Sequence, residues 1–283
     1  MRAWALRDGA ILAEGHSDKG MGSLAPTDFE SALLEVIEPW LGQHRLPVVA
    51  CGMVGAKQGW TEAAYASVPC LPVGAGAVRP VVKDARLDVA ILPGLSQSDP
   101  ADVMRGEETQ IAGYLAKDPE FDGVLCLPGT HTKWAQISAG EVVSFRTFMT
   151  GEMFALMSEQ SVLKHSIGDG WDTRAFETAV TDAMSRPEAL ANRFFSLRAE
   201  GLLAGLSKDA ATARLSGLLI GAELAAARPY WLGQRIVLIG APKLSARYSA
   251  ALALQGALAE TADATQTTLA GLTAAYVRLK DSQ

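Results

Sequence analysis

The sequence predicts an α/β protein made of two similar halves, and three observations support that prediction. Apolar runs of strand length end in glycine turns at Pro47-Val-Val-Ala-Cys-Gly52, Leu87-Asp-Val-Ala-Ile-Leu-Pro-Gly94, Gly123-Val-Leu-Cys-Leu-Pro-Gly129 and Arg235-Ile-Val-Leu-Ile-Gly240. Segments with a helical apolar period alternate with them, which is the pattern of an α/β sheet. A hairpin followed by a helix also occurs twice, as Trp4-Ala-Leu-Arg-Asp-Gly-Ala-Ile-Leu and as Trp134-Ala-Gln-Ile-Ser-Ala-Gly-Glu-Val-Val.

Each element follows from local chemistry. Ala3-Trp-Ala-Leu and Ala10-Ile-Leu-Ala read as strands around Arg7-Asp8-Gly9, since Asp-Gly is a tight hairpin signal. Thr27 or Asp28 caps a helix whose apolar residues Phe29, Leu33, Val36 and Ile37 share one face. The strand from Pro47 leads into the glycine-rich Gly52-Met-Val-Gly-Ala-Lys-Gln-Gly-Trp, and the strand from Leu87 leads through Pro93-Gly94 to a helix over Glu107 to Leu115. The second half reads as strand Gly123 to Leu127, a Pro-Gly-Thr turn, strand Lys133 to Ser138, an Ala139-Gly140 turn, strand Val142 to Phe148 and helix Gly151 to His165. Later come a helix from Leu215 to Ala227, the strand ending at Gly240 and a helix from Leu244 to Leu254. Aligning the halves places the counterpart of Leu125 to Thr132 before Met1, so the first half starts at its second strand.

Composition narrows the function classes. The 283 residues carry a net charge of -6 with no basic run, so nucleic acid is not an expected partner. No apolar run approaches the roughly 18 residues of a membrane span, and Met1-Arg-Ala-Trp lacks the apolar core of a signal peptide. Cys51, Cys70 and Cys126, odd in number and widely spaced, suit reduced thiols in a cytoplasm. Four histidines without a zinc-binding spacing give no support to a zinc site.

Four polar clusters sit at strand ends, where α/β sheets bind ligands. In Arg105-Gly-Glu-Glu-Thr-Gln, Glu107 and Glu108 either favour the helix dipole or provide a base for a substrate hydroxyl; as helix neighbours about 100° apart they cannot face each other as a glycosidase pair. The stretch Pro128-Gly-Thr-His-Thr-Lys is either a hairpin turn or an anion-binding turn, and it is not a P-loop. Phe145-Arg-Thr-Phe-Met-Thr-Gly-Glu offers an anion site or a helix cap beside an exposed arginine. Gly52 to Glu62, with Gln58 and Trp60, is either a pocket wall or an irregular loop.

In order along the chain, these motifs resemble the 2-dehydro-3-deoxygalactonokinase family: Gly52-Met-Val-Gly with Gly59-Trp60, Met104-Arg-Gly-Glu-Glu-Thr-Gln, Pro128-Gly-Thr-His-Thr-Lys-Trp, Phe145-Arg-Thr with Thr150-Gly-Glu, Leu215-Ser-Gly-Leu-Leu-Ile-Gly-Ala-Glu and Leu244-Ser-Ala-Arg-Tyr. The resemblance runs from Met1 to about Tyr276. It implies an actin-like ATPase fold of two ribonuclease-H-like lobes around a nucleotide cleft, a sugar-binding lobe over 1–118 and a nucleotide-binding lobe over 119–283. It further implies ATP- and magnesium-dependent phosphorylation of the 6-hydroxyl of 2-dehydro-3-deoxy-D-galactonate in galactonate breakdown. On this basis Gly129, Thr130, His131 and Lys133 would meet phosphate, and Gly240 would open the adenosine-side loop ahead of Leu244. Glu108, ahead of Glu107, would be the base. Arg105 and Arg146 would hold the acceptor's carboxylate, and Gly52, Met53, Gln58, Trp60 and Glu62 would contact its hydroxyls. The expected partners are the sugar acid and ATP, with a homodimer left open.

Two departures from the family pattern matter. Members begin with a strand and an Asp-Trp-Gly-Thr type turn ahead of the segment that here opens at Met1. A phosphate turn, an acidic residue near magnesium and the first lobe's central strand are therefore expected to be missing, leaving a poorly stable lobe and weak activity unless the natural chain starts upstream. Ala241-Pro242 follows Gly240 where a second glycine is usual, an expected change in nucleotide contacts. The rival readings are a non-catalytic nucleotide- or sugar-acid-binding relic and a kinase of another sugar acid on the same fold.

Overall fold

The structure, a computed structural model, describes residues 1–20, 22–74 and 76–281; Ser282 and Gln283, at the end of the expected second lobe, lie outside the described residues. The chain forms two units, one holding 1–121, 139–144 and the chain from Thr265 on, the other 122–138 and 145–264. The last helix thus belongs with the first unit, whereas the sequence assigned all of 119–283 to the second.

In the first unit, β1 (Arg2–Arg7) pairs antiparallel with β2 (Ala10–His16). The helix α1 (Phe29–Ile37) forms where its apolar period placed it, with Phe29, Leu33 and Ile37 buried. Asp28 is its N-cap residue but makes no side-chain capping bond, because a 3₁₀ turn at Pro26–Asp28 leads straight into the helix. Strand β3 (Leu46–Ala50) precedes β4 (Ala66–Ser67), and β5 (Leu87–Ile91) lies parallel to β3, in a sheet separate from the β1–β2 pair. Leu87, Val89 and Ile91 pack with Leu33 and Ile37 of α1. Strands β6 (Leu95–Ser98) and β7 (Ala101–Met104) join β4 in a small sheet whose short, polar strands carry no readable period. Helix α2 (Glu107–Leu115) then follows.

The second unit contains one five-stranded sheet. Its elements are β8 (Gly123–Leu127), β9 (Thr132–Ser138), β10 (Glu141–Phe148), α3 (Thr150–Glu159), α4 (Thr173–Ser185), α5 (Leu190–Leu203), α6 (Lys208–Ala226), α7 (Arg228–Trp231), β11 (Ile236–Gly240), α8 (Pro242–Ala253) and β12 (Ala259–Asp263). The order is β10-β9-β8-β11-β12, with β9 antiparallel to β8 and β11 parallel to both its neighbours. This is the ribonuclease-H-like arrangement implied by the resemblance. The expected duplication is also visible in the turns: Asp8 and Gly9 have φ of 51° and 79°, and Ala139 and Gly140 have 51° and 76°, so both hairpins use two-residue loops with positive φ throughout.

Helix α6 is apolar around most of its circumference because it is enclosed on most sides. It begins at Lys208, capped by Ser207, well before the expected Leu215. The expected helix from Gly151 to His165 is divided, since α3 ends at Glu159 and a separate 3₁₀ turn, capped by Ser161, covers Val162–His165. The chain ends in α9 (Ala264–Asp281), which crosses α2 at backbone contact: a Cβ on Gly113 would overlap the Thr267 carbonyl, and one on Gly271 the Thr109 carbonyl. No helix among the described residues is long and apolar enough to cross a membrane.

Candidate active site

In the first unit the head of α2 is set by Gly106, whose φ of 112° suits only glycine and whose missing Cβ would lie 3.4 Å from Gly52 Cα. This brings Gly52 and the two carboxylates together. Glu107 Oε2 accepts from the Arg105 N–H at 3.1 Å, and Glu108 Oε2 accepts from the Gly106 N–H at 2.6 Å. Glu108 Oε1 accepts from the Thr109 hydroxyl at 3.0 Å. Both acids therefore favour the helix N-terminus, as expected for that position. They differ in access, because Glu108 is 0% exposed while Glu107 is half-buried. Burial pushes the Glu108 carboxyl up to about 7, against the pull of its hydrogen bonds. A carboxylate near that value matches the driving force that a general base needs at neutral pH.

Arg105 sits beside this pair. Its Nη2 donates to the Ala63 carbonyl at 2.8 Å and its guanidinium lies 4.2 Å from the centre of the Tyr65 ring. Its Nε and Nη1 are buried without a hydrogen-bond partner among the described residues, which leaves two charged donors unused. The Gly52 to Glu62 segment is a series of tight turns, in which the Gly55 N–H bonds the Gly52 carbonyl and the Trp60 N–H bonds the Val54 carbonyl. Met53, Gln58 and Glu62 are exposed, whereas Trp60 packs against the α1–β5 core. The sequence reading missed Tyr65, whose only signal was an aromatic residue after a glycine-rich loop. Cys51, expected to be a reduced thiol, is a free cysteine; burial, followed by the nearby Glu108, pushes its thiol up to about 12, so it is no nucleophile.

In the second unit the stretch from Pro128 to Lys133 lies at the carboxyl ends of the parallel strands β8 and β11. Two helix starts approach it. The head of α3 is so close that a Cβ on Gly151 would overlap the Gly129 carbonyl oxygen, and the Glu152 N–H donates to the Thr130 carbonyl at 3.0 Å. Gly240, just before α8, comes close enough that a Cβ there would lie 3.1 Å from the Pro128 carbonyl oxygen. Only Ala241 separates Gly240 from α8, with Pro242 in the first turn, so the expected loop is a single residue and Leu244 packs into the core. Thr130 and His131 are exposed, and His131 Nε2 lies 2.6 Å from Glu152 Oε2. Lys133 is buried and its Nζ donates to the His131 carbonyl at 3.1 Å. Arg146 is half-buried on β10, beside the fully buried Phe145.

Behind this turn lies a network that the sequence reading did not assign. Glu223 of α6, 3% exposed, accepts from Trp134 Nε1 at 2.8 Å, from the Tyr248 hydroxyl at 2.7 Å and from the Thr150 hydroxyl. Tyr248 in turn lies 3.0 Å from the Thr132 hydroxyl. Burial pushes the Glu223 carboxyl up to about 7. Its signal was present as one acid in the otherwise apolar run from Leu215 to Ala227.

Among the described residues no three His, Cys, Asp or Glu side chains gather into a metal site. A magnesium ion held mainly by nucleotide phosphates needs only one or two protein carboxylates, and Glu152, partly exposed at the turn, has the right donor chemistry.

Comparison with known proteins completes the picture. The family model described as 2-keto-3-deoxy-galactonokinase matches residues 1–275. A Rhizobium meliloti protein described as a 2-dehydro-3-deoxygalactonokinase is 39% identical over 282 residues, covering 97% of this chain and 92% of that protein. The Escherichia coli 2-dehydro-3-deoxygalactonokinase is 35% identical over 260 residues, covering 90% of this chain and 87% of that protein. A crystal structure from Sinorhizobium meliloti, described as the same kind of kinase, superimposes with a TM-score of 0.91 at 37% identity, covering 98% of this chain and 95% of that one.

Proposed function

From the premise that the chain belongs to the 2-keto-3-deoxy-galactonokinase family, we propose that this carbohydrate kinase transfers the terminal phosphoryl group of ATP to the 6-hydroxyl of 2-dehydro-3-deoxygalactonate. The observation that supports the reading best is the approach of the α3 and α8 starts to the Pro128–Lys133 turn. Helix N-termini and backbone N–H groups at such a turn attract phosphate.

In this reading the second unit binds the nucleotide. The carbonyls of Thr130 and His131 are tied back, so the turn offers donors to an anion. Gly129, Thr130 and His131 meet phosphate, Lys133 adds positive potential from behind, and Gly240 and Leu244 shape the approach to α8. Glu152, partly exposed at the turn, is the carboxylate that would hold magnesium, which when bound would supply charge neutralisation.

The first unit binds the acceptor. Arg105 has two unused guanidinium donors for its carboxylate; Arg146, the other candidate, belongs to the second unit. Gly52, Met53, Gln58 and Glu62 serve its hydroxyls, and Trp60, packed against the core, supports them. Either Glu108, favoured by its raised pKa, or Glu107, favoured by its access, takes the proton from the 6-hydroxyl. Catalysis is then mostly positioning and charge stabilisation. A homodimer remains part of the proposal, and sedimentation of the full chain tests it.

A coupled ADP-release assay tests the function. We expect ADP release that depends on 2-dehydro-3-deoxygalactonate, with the phosphate located on C6 by NMR. Bound ATP without ADP release for any sugar acid would return the relic reading, and turnover with another sugar acid would change the substrate.

A further inference from the structure

We propose that Glu223 is a positioning residue for phosphoryl transfer: its carboxylate fastens three walls around the Pro128–Lys133 turn in the arrangement that receives the nucleotide phosphates. The inference rests on the kinase reading above and deepens it within the second unit.

Glu223 belongs to α6, which supplies no other candidate residue, yet each of its partners borders the turn. Trp134 follows the turn on β9, two residues after Thr132. Thr150 is the first residue of α3, next to the Gly151 that abuts Gly129. Tyr248 lies on α8, the helix whose preceding Gly240 abuts Pro128. One side chain thus joins β9, α3 and α8.

The direction of the hydrogen bonds follows from the donor types. The Trp134 indole N–H can only donate. With the Thr150 and Tyr248 hydroxyls also donating to the carboxylate, the Tyr248 oxygen is left to accept from Thr132. The order Thr132 to Tyr248 to Glu223 therefore sets the hydroxyl of the residue that closes the turn. Cys126 on β8 and Tyr248 on α8 are titratable groups that face the carboxylate. For burial alone, an apolar side chain of similar volume would cost less than a carboxylate. A planar group with two polar atoms, one of them an acceptor for the Trp134 N–H, holds these partners together.

The test compares Glu223→Gln with Glu223→Ala in the full chain. Glutamine can keep its oxygen on Trp134 and turn its amide toward the two hydroxyls, which then accept, whereas alanine removes all three contacts. Two readouts are used: titration of a fluorescent ATP analogue without sugar acid, and the KM values for ATP and for sugar acid. We expect Glu223→Ala to weaken nucleotide binding and raise the KM for ATP by about tenfold or more, with the sugar-acid KM unchanged and Glu223→Gln near the parent. If Glu223→Ala does not fold, Tyr248→Phe and Thr150→Val must each show the same one-sided change. Folded variants with unchanged nucleotide affinity, or with both KM values moving together, overturn the proposal. Because the analogue titration needs no turnover, a failure of the assigned reaction leaves this inference measurable on its own.

Discussion

Glu108 of the first unit and Glu223 of the second are 0% and 3% exposed, and burial pushes both carboxyls up to about 7. They are nevertheless held in different ways. Glu108 takes its partners from Gly106 and Thr109, two and one residues away, so its setting is made by one helix start. Glu223 takes Trp134, Thr150 and Tyr248 from 89, 73 and 25 residues away, so its setting exists only when the unit is folded. A buried acid satisfied locally can be given a chemical task at little structural risk, whereas one satisfied by distant elements ties those elements together.

The sharpest way to break this comparison is kinetic. Replacing the residue that acts as base, in Glu108→Gln or Glu107→Gln, is expected to lower kcat by roughly 10² to 10⁴ with the fold intact. Steady-state rates of both variants decide it: loss only in Glu107→Gln would reduce Glu108 to a capping residue and give the chemistry to the more accessible acid. By contrast, the Glu223 variants are expected to act through ATP affinity.

A second test concerns pH. Because each carboxyl is pushed up from the ordinary glutamate value of 4.5 to about 7, the folded chain holds more protons than the unfolded chain between those values. This stabilising contribution is fully present below about 4.5 and is lost as pH rises through about 7, by at most about 3 kcal/mol per group. Urea unfolding at several pH values should show the wild type losing stability relative to Glu108→Gln over this window. Parallel curves for the two proteins would mean that Glu108 is not buried as an acid.

Glycine contacts provide a third comparison between the units. Gly113 meets α9 at the Thr267 carbonyl, and Gly217 of α6 meets α4, where a Cβ would lie 2.5 Å from the Phe176 carbonyl oxygen. Gly113→Ala and Gly217→Ala should each destabilise by about 1–3 kcal/mol through overpacking, read as a lower urea midpoint. A neutral Gly113→Ala would show that α9 does not press on α2 in solution. The smallest effect is expected from His131→Ala, since the His131–Glu152 pair is 44% and 37% exposed. Its loss should cost less than about 1 kcal/mol of stability, so a larger change in ATP affinity would mark His131 as a phosphate contact.

Sequence by itself determined what depends on neighbouring residues. The Asp8-Gly9 and Ala139-Gly140 turns, the α1 stripe and the buried strands β5, β8 and β11 were all readable, because positive φ and side-chain period are local properties. So were the clusters around Glu107 and Pro128. Tertiary structure alone decided the rest. It packed the Trp60 indole against the core, returned α9 to the first unit through the Gly113 and Gly271 contacts, and gave Glu107 and Glu108 different access to solvent. It also gathered three distant donors on Glu223. Each of these depends on which surfaces meet across long stretches of chain, and no local period or turn preference encodes that meeting.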